Sequence, residues 1–170
     1  MMTGESGTTP NYGVLADKLV FRLLVAAPAW TLAAVTALYL FLLGSMPQYI
    51  ARHAGPDGIG YSSTTLVLAI IAAVSASAFA IGGATAHGFL KAGHWYQTEK
   101  MIAVGIVSLG YGVAGIGLAT MLATVRLAAG EIEGDAIGVS MVAFVLAFIA
   151  AAWTYTLALP PGELEQLGTD

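Results

Sequence analysis

Apolar residues fill four long runs, roughly Leu23–Leu43, Leu66–Leu90, Met101–Val125 and Ile137–Leu159, and polar residues collect between them. A bilayer core of about 30 Å takes about 20 apolar residues at the helical rise of ~1.5 Å. Each run is therefore long enough to cross a membrane. The pattern predicts an all-α integral membrane fold: four transmembrane helices at about 17–44, 64–90, 100–126 and 136–159, in one up-down bundle with no soluble domain. Residues 1–16 read as a flexible tail and 161–170 as an acidic one.

The connecting segments are short, which favours sequential neighbours packing side by side. Ahead of the first run, Asp17, Lys18 and Arg22 share one helical stripe, as in a helix that lies at the interface before entering the membrane. Pro28 stands where a kink is expected, because it cannot supply a helical N–H. Ser45–Ser63, with Pro47 and Pro56, reads as a loop flanked by the interface tyrosines Tyr49 and Tyr61. Lys91–Lys100 reads as a tight turn carrying Trp95 and Tyr96, and Gly130–Asp135 as an acidic hairpin cap. Pro160-Pro161 ends the fourth helix.

Composition supports the membrane reading, with 58% hydrophobic and 9% charged residues against about 25% charged in soluble domains. The first basic residue, Lys18, follows a polar, glycine-rich stretch, so the N-terminus does not read as a cleavable signal peptide. Lys18, Arg22, Lys91 and Lys100 fall on one side of a four-pass chain, against Arg52 and Arg126 on the other. That bias predicts a cell-membrane protein with both termini in the cytoplasm. Lys100 and Arg126 bracket the third helix as interface anchors, about 39 Å apart at the helical rise.

Candidate chemistry is sparse. The absence of cysteine removes disulfides, thiolate metal sites, iron–sulfur clusters and cysteine nucleophiles. Acidic tails argue against nucleic-acid partners, which need a basic footprint. Gly110-Tyr111-Gly112-Val113-Ala114-Gly115 matches a dinucleotide-binding spacing, but it lies inside an apolar run with no preceding strand. His87, one turn before Lys91, is the sole histidine inside a run and the one candidate for a haem b ligand; otherwise no cofactor or metal is expected. The run interiors lack acidic and basic residues, which disfavours an ion-coupled transporter. No nucleophile–base pair converges at one depth, so no enzyme is expected. Tyr111 places a hydroxyl near mid-membrane that calls for a hydrogen-bond partner on another helix.

Two small-residue faces remain. Ala72, Ala76, Ala80, Ala84 and Gly88 recur every four residues in the second run, and Gly105, Gly110, Gly112, Gly115 and Gly117 crowd the third. Small residues let helix backbones approach, and that packing drives association in lipid. These faces point to a structural or accessory membrane subunit, held in the bilayer as a homo-oligomer or within a larger complex. The alternatives are a haem-binding anchor of an electron-transfer complex and a small transporter or channel.

Overall fold

The computed structural model describes residues 18–56, 58–125 and 135–164. Four helices make its body: α1 (Lys18–Ser45), α2 (Thr64–Ala92), α3 (Gln97–Thr124) and α4 (Asp135–Ala158). All four are long and apolar enough to cross a membrane, as in a multi-pass membrane protein. The acidic segment Gly130–Gly134 and Arg126 lie outside the described residues.

The stretch read as a loop between the first two helices contains an antiparallel hairpin, so the chain is not purely helical. Strand β1 (Tyr49–Gly55) pairs with β2 (Gly58–Ser63), from Tyr49 opposite Ser63 to Gly55 opposite Gly58. The register shifts between Ala51 and His53. A Pro-Asp-Gly sequence is turn chemistry, and Gly58 at φ 106° takes a backbone conformation that side chains resist. Ile50 anchors the hairpin, 1% exposed. Thr64 fastens its base, since its amide donates to Gln48 O at 3.0 Å and its hydroxyl to Pro47 O.

α3 is the central helix. Ala103, Val104 and Val107 are buried with Phe79 and Ala86 of α2 and Ala151 and Tyr155 of α4. α1 packs more loosely, mainly through the buried Leu24 and Pro28 near its start.

At one end of the bundle the chain is cross-strapped. α2 stops at Gly93, which adopts φ 72°; the Gly93 amide bonds Leu90 O and the His94 amide bonds Phe89 O. This pair of bonds satisfies two terminal carbonyls and turns the chain toward α3. Leu159–Glu163, beyond the end of α4, then docks on that turn. Glu163 exchanges backbone bonds of 2.9 Å with Trp95 O and the Gln97 amide, and Trp95 Nε1 donates to Pro160 O at 3.1 Å. Gly162 passes so close that a Cβ there would sit 2.7 Å from the Gln97 backbone. The part of the expected acidic tail that is described, up to Leu164, is thus built into the fold through Glu163.

Lys100 also departs from expectation. It is 5% exposed, and Nζ donates to Leu159 O at 3.2 Å. An anchoring lysine would reach out to the interface; this one turns inward to the carbonyl end of α4, where the helix dipole favours a cation. We expect Lys100→Met, which fills the same space without a donor, to cost about 1–2 kcal/mol. Thermal unfolding in mild detergent would register the loss, and hydrogen exchange at the Gln97 and Glu163 amides would quicken. An unchanged midpoint with unchanged exchange would mean that the bond does not hold the strap.

Candidate functional site

The two small-residue faces have different fates. On α3, Gly110 lies under the Phe79 ring of α2, where a Cβ would meet ring carbons at 2.6 Å. A Cβ at Gly112 would meet the Phe144 ring of α4 at 2.8 Å, one at Gly115 would meet Ala147 at 2.9 Å, and one at Gly117 would meet Ile71 at 3.0 Å. These four glycines are consumed by packing inside the chain. Gly105 is not: no neighbouring atom lies within 4 Å of where its Cβ would be. On α2 the reverse holds. Ala72, Ala80, Ala84 and Gly88 are exposed and Ala76 is half-buried. The helix turns its other side inward, with Leu68, Ser75, Ala78, Phe79, Gly82 and Ala86 buried.

A second arrangement ties all four helices together. In an α-helix the Ala27 amide would bond Leu23 O, four residues back. It bonds Arg22 O instead, so Arg22–Ala26 is a π turn. A π register would give Leu23 O to residue 28, but Pro28 has no N–H. Leu23 O is left over by both registers, and Tyr155 Oη of α4 donates to it. With its proton so used, Tyr155 accepts from Tyr111 Oη of α3 at 3.0 Å. The Tyr111 ring in turn stands edge-on to Phe79 of α2, centroids 4.8 Å apart. The partner that Tyr111 called for is therefore on α4. Tyr155 and the π turn are not legible from the sequence, because an acceptor carbonyl freed by Pro28 becomes specific only once α4 is placed beside it.

His87 stands exposed at the wall of an open crevice of about 570 Å³ between α1 and the last turns of α2. It is the one imidazole lining that crevice; His94 lies in the following turn against Tyr96, ring centroids 6.2 Å apart. A two-histidine haem would need its other ligand from elsewhere. Among the described residues, no three His, Asp or Glu side chains gather as a metal site. The glycine pattern Gly110–Gly115 lies within α3, with Gly110 and Gly112 buried against aromatic rings.

Smaller cavities lie elsewhere, among them one of about 410 Å³ beside Leu23, Tyr111 and Tyr155. Another of about 200 Å³ separates α1 from α2 and α3, bordered by Leu32, Tyr39, Leu68 and Ser75. A further one of about 270 Å³ lies under the hairpin beside Ile50, Thr120 and Ser140. The cavity between α1, α2 and α3 is almost wholly apolar, and the one under the hairpin also carries the hydroxyls of Thr120, Thr124 and Ser140. Tyr39 Oη and Thr65 Oγ1 bond at 2.9 Å across the α1–α2 seam, and Thr120 and Ser140 hydroxyls bond at 3.0 Å between α3 and α4.

Tyr155→Phe leaves both Leu23 O and the Tyr111 hydroxyl without their partner. We expect a loss of about 1–3 kcal/mol, and a smaller one, about 0.5–1.5 kcal/mol, for Tyr111→Phe, which spares the bond to Leu23 O. Thermal unfolding of both variants in the same detergent checks the ranking; equal midpoints would rule the link out as a support. No family model, curated protein or solved structure matches this chain.

Proposed function

We propose that this chain is a structural or accessory subunit of a cell-membrane assembly, an up-down four-helix bundle that associates with a second copy through α2. The observation that carries the reading is the exposed row Ala72, Ala80, Ala84 and Gly88. Gly110, Gly112, Gly115 and Gly117 of α3 are spent inside the chain, whereas this row is exposed at every position but Ala76. Around Gly88 there is open space where a side chain would stand. Small exposed residues on a membrane helix let another helix come close enough for continuous van der Waals contact. The Lys and Arg distribution supports both termini on the cytoplasmic side. Two charged groups are shielded within the described bundle, Lys100, held by Leu159 O, and Glu99 Oε2 beside it in sequence, and both stand at the start of α3 rather than at mid-depth.

Two substitutions separate the inner and outer faces. Ala80→Leu adds bulk to an exposed position, so it should shrink the particle measured by light scattering and lower the melting temperature of the detergent-solubilised protein only by the share that association contributes. Gly110→Ala, which pushes on the Phe79 ring, should lower stability by about 1–3 kcal/mol. A parent protein that is already monomeric, or an Ala80→Leu variant of unchanged particle size, would sink self-association through this row.

A further inference from the structure

The crevice beside His87 has a shape and chemistry of its own. Its volume of about 570 Å³ falls within the range of about 300–1,000 Å³ typical of small-molecule sites. One wall is Val20, Phe21, Leu24 and Val25 of α1, all apolar. The other is the row Gly83, His87 and Lys91 with Leu90, from the last turns of α2. Residues four apart share a helix face, so this row runs from a bare backbone at Gly83 to a cation at Lys91. The floor is tight: a Cβ at Gly83 would sit 3.2 Å from Leu24 O. The mouth is polar, since His87 and Lys91 are both exposed.

Charge is one-sided there. Among the described residues no acidic one lines the crevice, and the exposed Lys18 and Arg22 lie on the same stretch of α1. The described carboxylates near this end, Glu99 and Glu163, belong to α3 and to the strap, not to the crevice walls. An occupant must therefore present an anion to Lys91 and His87 and lay apolar chain along Val20–Val25. The geometry points to a binding site for one anionic glycerophospholipid, its phosphate at Lys91 and the His87 imidazole and an acyl chain in the α1–α2 seam. A basic mouth over an apolar cleft between membrane helices is the arrangement that recognises such headgroups. Lys91 supplies an ammonium donor and His87 a ring N–H. The site goes beyond the self-association of α2 and does not depend on it.

The test is native mass spectrometry of the full chain in mild detergent, with phosphatidylglycerol and phosphatidylcholine of identical acyl chains. Phosphatidylglycerol should stay bound under activation that strips phosphatidylcholine. Lys91→Gln should weaken it about fivefold, the effect of one basic group near an anionic surface. Arg52→Gln, in the hairpin at the other end of the bundle, should change it less than twofold. Phosphatidylglycerol carrying a photoreactive group in its acyl chain should label the peptides that contain Phe21–Val25 and Gly83–Leu90. Equal retention of the two lipids, an unaffected Lys91→Gln variant, or labelling confined to other helices would overturn the assignment. So would displacement of the lipid by equimolar soluble glycerophosphoglycerol, which would mean that the headgroup alone is recognised. Chain-to-chain crosslinks at Phe21 in place of lipid adducts would give the crevice to a second copy. A monomeric parent that still selects phosphatidylglycerol would leave this site standing while self-association fails.

Discussion

A hydroxyl enclosed by apolar side chains has no water to return to, so an acceptor within the protein offsets a real desolvation cost. Tyr155 finds that acceptor in Leu23 O, and the rest of the bundle is arranged around the bond. The acceptor exists because α1 switches to a π turn immediately before Pro28. Tyr111 then finds its own acceptor in Tyr155, and Phe79 closes over Tyr111 and Gly110. One chain of contacts thus runs from α1 through α4 and α3 to α2. It sets how these helices are rotated relative to one another, which apolar contacts alone would leave free to slide.

Close approach does the remaining work. Gly110 and Gly112 point to opposite neighbours, Phe79 on α2 and Phe144 on α4. Removing two side chains from α3 lets a large ring press on its backbone from either side, and dispersion contacts accumulate where a pair of leucines would hold the helices apart. That geometry makes α3 the central helix and leaves α1 and most of one side of α2 outside. The outer surface of α2 accordingly carries the two features of functional interest, the small-residue row and the crevice that ends at Lys91.

The ends of the bundle are closed by different means. The hairpin covers one end with Ile50 as its buried anchor. At the other, Leu159–Glu163 lies across the turn between α2 and α3, and Lys100 and Trp95 bond the carbonyls of Leu159 and Pro160. A helix end inside a bundle leaves its last carbonyls without partners. Here the unusual buried lysine answers that need, which accounts for a charge where anchoring at the interface was expected.

By itself the sequence determined the number, length and apolar character of the four helices, because hydropathy over some twenty residues is a local property. It also marked the stop at Pro160-Pro161 and the need of Tyr111 for a partner. It did not reveal the hairpin, whose strands are short and whose buried Ile50 has meaning only against the helices it covers. Nor did it separate the fates of the two small-residue faces. Ala80 and Gly110 look alike as small residues in apolar runs, yet one is exposed and the other lies under a ring. Tertiary structure decided which, because the rotation of a helix apolar on all sides is set by its neighbours and not by its own pattern. The same holds for Lys100 and Lys91, two lysines near helix ends. Only the path of the chain beyond α4 turns the first inward, and only the position of α1 gives the second an apolar crevice beside it.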